Sequence, residues 1–302
     1  MEKTSYFNFN TGEGLDTYRE KALRNLSAFA TIFGFNPGIA TRLPFQDVND
    51  KNQQLISEIA THTQLPIADV QGMNYSDELL SIDPKQLLPF GCTAVGKDGI
   101  IGQNLDLFTL DLAVVRDDDA LYLTMPPYLT LFGMNKEIAF CTNYLPYLVT
   151  PGVPLSHIRR NILRRHSLPE AVEYLSSVES ATAANFLLSD GSQIVDVEVL
   201  SSGARKYTAI DSPSGLYFAH TNHLLQKDIR KDQSCPRLSQ AVKRLEANQD
   251  LESILLGKGV YVPLEKYDSL GFGSIITVVL DPRQGVFRYK DCFMGKFEQI
   301  LI

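Results

Sequence analysis

At 302 residues, 44% of them hydrophobic, the chain is long enough to bury a full core and lies at the upper edge of single-domain size. Its 28 Lys and Arg against 35 Asp and Glu leave a net charge of -7, which repels phosphate backbones, so no nucleic-acid partner is expected. No stretch approaches the about 20 consecutive apolar residues of a membrane-spanning helix, and Met1 to Gly14 lacks the apolar core of a secretory signal; the expected setting is cytoplasmic, without a membrane partner.

Residues 1 to about 90 read as a helical leader. Leu23, Leu26, Phe29 and Ile32 recur at helical spacing within Asp16 to Phe33, and Leu55, Ile56, Ile59 and Ala60 continue a second run after Asp50. Pro66 opens a short helix through Met73, and the polar, Pro-containing stretch Ser81 to Pro89 reads as an exposed linker. From Cys92 the texture changes to short strands separated by turns. Cys92 to Val95 and Ile100 to Asn104 flank Asp98-Gly99, residues that tolerate the positive φ of a tight hairpin turn. Further strands are expected at 113–115, 120–125, 138–144, 184–188, 193–200, 206–210, 215–220, 274–280 and 285–289. Helices are expected at Ser156 to Arg165, from Ser167 to about Ser176, at Pro236 to Ala247 and at Leu251 to Leu256; Ser167-Leu168-Pro169-Glu170 is a capping-box pattern. Runs of adjacent strands with clustered helices, in place of strict alternation, point to a layered α+β fold with antiparallel sheets.

Cys92, Cys141, Cys235 and Cys292 lie far apart without a C-x-x-C pair, which argues for free thiols and against a zinc site or a disulfide framework. Cys92 stands apart from the other three because Gly91 precedes it where the linker ends and the first strand begins. A glycine there leaves the backbone free to let the thiol reach the preceding carbonyl carbon. Attack at that carbon, followed by hydrolysis, leaves Cys92 with a free α-amine, whose ordinary pKa of about 7.7 to 8.0 suits it to serve as the base for its own thiol. The other reading is a thiol buried in a strand.

Gly91-Cys92-Thr93, Gly102-Gln103-Asn104-Leu105-Asp106, Gly133-Met134-Asn135, Cys141-Thr142-Asn143-Tyr144, Gly152-Val153-Pro154 and His220-Thr221-Asn222-His223, in that order, resemble the acyl-coenzyme A:6-aminopenicillanate acyltransferase-like family. The resemblance covers roughly residues 85 to 290. It implies a four-layer αββα N-terminal nucleophile hydrolase sandwich, cleavage between Gly91 and Cys92, and a small chain of residues 1–91 beside a catalytic domain of residues 92–302. It also implies Cys92 as nucleophile, Asp106 holding the new amine, and Asn222 donating to the oxyanion. Ser274 matches a serine of the family's late strand and Arg288 lies on the strand after it, and both are expected to contact substrate. The chain departs from the family pattern at Ala94, where a threonine is usual, and at Leu105, where a tryptophan is usual; no tryptophan is present at all. Of the family's leader signature only Glu58-Ile59-Ala60 remains.

Each site residue has a plainer reading. Asp106 would be a solvated turn carboxylate and Asn222 a loop residue bonding its own backbone. Asn143, at a strand end, either meets substrate or caps an edge. His220 and His223 lack a third ligand at metal spacing, so neither a metal nor any other cofactor is expected. Arg159, Arg160, Arg164 and Arg165 cover one helix face, read as solvated, with docking of a coenzyme phosphate as the alternative. Thr93 and Tyr144 are further substrate contacts, and the Tyr144 to Leu148 segment is the expected pocket wall. The sequence thus points to a cysteine amidohydrolase or N-acyltransferase acting on linear C–N amide bonds. Its expected partners are a small amide or acyl substrate, acyl-coenzyme A as another acyl source, and further copies of itself in a homo-oligomer. The alternative is an uncleaved, inert binding module of the same fold.

Overall fold

The computed structural model describes residues 3–33, 50–82, 91–145, 149–200, 203–207, 210–212, 215–223, 235–267 and 270–302. Most of the stretch read as a linker, and residues 146–148 of the expected pocket wall, lie outside them.

Two eight-stranded sheets make up the centre. The first runs β1 (Ser5–Asn8), β4 (Ala113–Asp117), β5 (Ala120–Thr124), β6 (Phe132–Asn135), β7 (Ala139–Leu145), β8 (Ala183–Ser189), β9 (Ile194–Leu200) and β10 (Gly203–Tyr207). In the second, β11 (Ile210–Ser212), β12 (Gly215–His220), β2 (Gly91–Lys97), β3 (Ile100–Phe108), β14 (Leu270–Asp281), β15 (Val286–Asp291) and β16 (Glu298–Leu301) follow in order, with β13 (Glu265–Tyr267) also on β14.

The sheets pack face to face, and β2, β3 and β14 meet β7 and β8. Strands β2 and β3 are buried almost throughout, because helices cover the outer face of their sheet. Helices α7 (Pro236–Glu246) and α8 (Leu251–Leu255) close that face over Val95, Tyr217 and Ala219. Against the first sheet lie α5 (Leu155–Ile162) and α6 (Leu168–Ser177), with the leader helices α1 (Leu15–Phe33), α2 (Asp50–Thr63), α3 (Ile67–Asn74) and α4 (Ser76–Ile82) beside them. The result is the expected αββα order.

Local signals act as read. Asp98 and Gly99 both take positive φ (53° and 79°) in the β2–β3 hairpin, and a Cβ at Gly99 would stand 2.0 Å from the Gly191 carbonyl oxygen. The Ser167 hydroxyl caps α6 by accepting from the Glu170 amide at 3.3 Å.

The leader has two features beyond its reading as helices. It contains a strand, β1, which pairs in parallel with β4, Ser5 opposite Ala113. It is also built into the common core. Phe7, Tyr18, Ile56, Val70 and Met73 pack in one cluster with Leu123 and Phe140. The buried Lys21 ammonium donates to the carbonyls of Lys3 and Leu112 at 2.7 and 2.9 Å, and Asn25 donates to those of Asp111 and Pro126 at 2.9 and 2.8 Å.

Candidate active site

Strand alternation decides which way each side chain of β2 points. Gly96 approaches Ile194 and Leu187 of the first sheet, so Cys92, Ala94 and Gly96 face the space between the sheets. Gly91 and Thr93 face outward toward α7.

Gly91 pairs with Asp106, and Cys92 with Leu105. A Cβ on Gly91 would stand 2.9 Å from both Arg237 Nη1 and Asp106 Oδ2, so any larger residue before the cysteine must displace that pair. This gives Gly91 a steric role in addition to its backbone freedom.

Around Cys92 the polar contacts converge. Asn222, just past the end of β12, accepts from the Cys92 backbone N–H through Oδ1 and donates from Nδ2 to the Tyr144 carbonyl at 2.9 Å. The amide orientation is set by its neighbours, a donor on one side and an acceptor on the other. Arg237, in the first turn of α7, donates from Nη1 to the Cys92 carbonyl (3.0 Å), the Thr93 hydroxyl (3.3 Å) and Asp106 Oδ2 (2.9 Å), and from Nη2 to Asn222 Oδ1 (3.4 Å). Ser274, opposite Asp106 in the β3–β14 register, donates its hydroxyl to Asp106 Oδ1 at 2.6 Å and accepts from the Val262 amide at 2.9 Å.

Burial pushes the Asp106 carboxyl up to about 7, against the opposing pull of Arg237 and the Ser274 hydrogen bond. Burial and the adjacent Asp106 charge push the Cys92 thiol up to about 11, partly offset by the Asp106 backbone N–H, Arg237 and Gln103. With the peptide intact, Cys92 is therefore a thiol at neutral pH.

The cysteine opens onto a pocket of about 660 Å³, solvent at its mouth included. Phe29, Leu105, Leu107, Met125, Leu131 and Phe132 make it largely apolar. Its polar wall carries Asp77 and Arg159, an ion pair at 2.9 Å. The neighbouring Glu78 is pushed up to about 8, chiefly by burial and then by Asp77, so near neutral pH this wall has no net charge. Phe29, Ser76 and Asp77 come from the leader.

Cys92, Asp106, Asn222, Gly91, Thr93 and Ser274 are thus brought together, and Tyr144 lines the pocket. Three expectations change. Arg288 is elsewhere: it pairs with Glu252 at 2.7 Å in a groove with Lys97 and Asn248. The β14–β15 register sets Arg288 opposite Val279 and Asp291 opposite Ile276, three residues along from the position beside the site.

Asn143 is fully buried in the layer between the sheets, out of phase with Thr142 and Tyr144, and donates to Asn185 at 3.5 Å. The four arginines do not form one solvated helix face, because α5 ends at Ile162 and carries only Arg159 and Arg160. Arg159 and Arg160 are buried on Asp77 and Asp117, Arg164 donates to Asn52 and Asn161, and Arg165 lies 4.4 Å over the Tyr174 ring. Arg159 and Arg160 are thus committed to internal carboxylates, while Arg164 and Arg165 are half-buried.

Arg237 was not singled out from the sequence. Its signal is a cation in the first turn of a helix, where the macrodipole disfavours positive charge unless an anion is near. Both ring nitrogens of His220 face acceptors, Thr221 O and Glu198 Oε1, which leaves no lone pair for a metal. Among the described residues no cluster of His, Cys, Asp and Glu has metal-site geometry.

Residues 120–285, more than half of the chain, match the family model of acyl-coenzyme A:6-aminopenicillanic acid acyl-transferase. The chain belongs to that family. It is an enzyme of amide-bond hydrolysis or acyl transfer. The matched span includes Asn222, Arg237 and Ser274; Cys92 and Asp106 lie ahead of it.

No curated protein matches the sequence. Among solved structures, a mutant of the conjugated bile acid hydrolase from Clostridium perfringens is similar to 70% of this chain over 92% of its own, at 13% identity and a TM-score of 0.51, a likeness of fold. Penicillin V acylase from Agrobacterium tumefaciens is similar at 14% identity over 70% of this chain and 86% of its own, with a TM-score of 0.44. No described helix is long and apolar enough to cross a membrane.

Proposed function

We propose that this family member cleaves itself between Gly91 and Cys92, and that the freed Cys92 is the nucleophile of an amidase or N-acyltransferase for uncharged, apolar acyl groups. The observation that carries this reading is the convergence on one residue. The Cys92 amide is held by Asn222, its carbonyl by Arg237, and its sulfur opens onto an apolar pocket.

In the first step the sulfur attacks the Gly91 carbonyl carbon and the C–N bond breaks, giving a thioester at Gly91 and an amine at Cys92. Water then opens the thioester. The Gly91 carboxylate leaves, and the thiol gains as its base an amine of ordinary pKa about 7.7 to 8.0.

In turnover the thiolate attacks a substrate amide carbonyl in the pocket. The Nδ2 hydrogen of Asn222 not used on Tyr144 donates to the oxyanion, and the α-amine passes the proton to the departing nitrogen. Water or an amine then takes the acyl group. Asp106, with Arg237 and Ser274, fixes the start of β2.

The test is intact mass after purification, followed by trapping with N-acyl amino acids and phenoxyacetyl or long-chain acyl amides. Pieces spanning 1–91 and 92–302 are expected, held together in native buffer by the shared core and separated in denaturant, with acyl mass on the peptide that begins at Cys92. A chain that stays whole with an unreactive Cys92 would select the inert binding module.

The pH dependence follows from Asp106. Activity should fall as pH drops through about 7, because the protonated carboxyl no longer pairs with Arg237 as an ion. Stability should move the opposite way. The folded chain holds this proton more tightly than the unfolded one, so between about 7 and the ordinary value of 3.8 a lower pH adds stability through this group. A pH–rate profile beside denaturant unfolding measures both, and Asp106→Asn should flatten the acid limb at a low rate.

A further inference from the structure

A group of polar side chains enters the layer between the sheets next to Cys92. Asn143, Asn185, Asp196 and Glu198 enter it from β7, β8 and β9, and His220 enters from β12 opposite Ala94. All five are fully buried. Asn185 links the group, accepting from Asn143 and donating to Asp196.

His220 Nδ1 lies 2.5 Å from the Thr221 carbonyl oxygen, and Nε2 lies 3.0 Å from Glu198 Oε1. The carbonyl oxygen only accepts, and so does Glu198 as a carboxylate, the form whose charge acts on the ring. A neutral imidazole has one N–H and would set a lone pair against one of them; the imidazolium donates to both. Burial disfavours that cation, but Asp196 and the Glu198 charge and hydrogen bond outweigh it, so the His220 pKa is raised.

A buried ionic group is a poor source of stability, since an apolar residue fills such a layer at lower cost. What the ring holds is more telling. Thr221 O belongs to the peptide unit that leads into Asn222, whose side chain grips the Cys92 amide and the Tyr144 carbonyl.

We propose that His220 is a positioning residue: as an imidazolium held by Glu198 and Asp196, it clamps the Thr221–Asn222 peptide and so aims the Asn222 side chain at Cys92. The consequence for rate rests on Cys92 being the nucleophile; the clamp itself does not. Asparagine and glutamine divide the two bonds of the ring, because the amide nitrogen of Asn occupies the place of Nδ1 and that of Gln the place of Nε2. His220→Asn keeps the donor to Thr221, and His220→Gln keeps only the donor to Glu198.

The experiment compares the full chain with both variants for cleavage at Gly91–Cys92, Cys92 acylation, thermal midpoint, and 15N signals of the His220 ring and the Asn222 side chain. His220→Gln is expected to slow cleavage and acylation by about 10²-fold, and His220→Asn by less than about tenfold, at similar losses of thermal stability. The wild-type ring is expected to show two protonated nitrogens at pH 7.5. Equal slowing in the two variants, slowing that merely follows the thermal midpoint, or a neutral ring would overturn the proposal. If the wild type neither cleaves nor acylates, the reading of Cys92 fails and the side-chain amide of Asn222 decides. Displacement in His220→Gln with a native position in His220→Asn supports the clamp, and an unmoved signal in both overturns it.

Discussion

Cys92→Ala is expected to abolish chain cleavage and to lower turnover by about 10⁴-fold or more, because a nucleophile that acts as one unit with its base leaves little behind when removed. The fold should survive. Cys92 is a small buried side chain in a well-paired strand, and removing one sulfur costs on the order of 1 kcal/mol. The variant should therefore purify as a single chain of 33.7 kDa with a nearly unchanged thermal midpoint. Cys92→Ser is the sharper comparison, because a hydroxyl keeps the geometry but is a far weaker nucleophile. Cleavage of the alanine variant at Gly91–Cys92 would mean that another group attacks that bond, and the assignment of Cys92 would be lost.

Arg237→Met should cost both stability and rate. The side chain reaches Asp106, the Cys92 carbonyl and the Thr93 hydroxyl through Nη1, and methionine keeps the apolar stem while removing all three contacts. Stranding a buried carboxylate costs about 3 kcal/mol, the lower end of the range for a broken buried pair, because Asp106 protonates readily once the guanidinium is gone. Turnover should fall by about 10²- to 10³-fold, as for the loss of one fixed donor in a preorganised site. The acid limb should also shift to higher pH, since Arg237 holds the Asp106 pKa down. Adding Asp106→Asn to Arg237→Met should restore stability without restoring rate. Guanidinium unfolding and kcat/KM of the three variants measure this. A stable, active Arg237→Met would show that the ion pair does not organise the site.

Much of this site is legible along the chain. Gly91, Cys92 and Asp106 are close in sequence on one hairpin, and the Asp98-Gly99 turn fixes the register that sets Gly91 opposite Asp106 and Cys92 opposite Leu105. Asn222 stands out between two histidines at a strand end. Arg237 does not, since its contact with the Cys92 carbonyl spans 145 positions. The four arginines at and after α5 mislead for a related reason. Four cations at helical spacing suggest a wet face, yet the helix stops before two of them, and Asp77 and Asp117 come to Arg159 and Arg160 from α4 and β4, with the Tyr128 and Tyr122 rings beneath. Strand β1 has too few residues to declare itself without its partner β4.

The residues alone were enough for the layered α+β class, the caps and turns that bound its elements, and the placing of Cys92 behind a glycine at the start of a strand, because each depends on the backbone preferences of a few neighbours. Long-range pairing settled the rest: which face Asn143 presents, where Arg288 ends up, and how Arg237 and His220 come to flank Cys92. A one-residue change of register turns a side chain from one face of a sheet to the other, and in this fold that register is set by strands far apart in the chain, as where β14 sets Leu280 opposite Ile101 and Ser274 opposite Asp106.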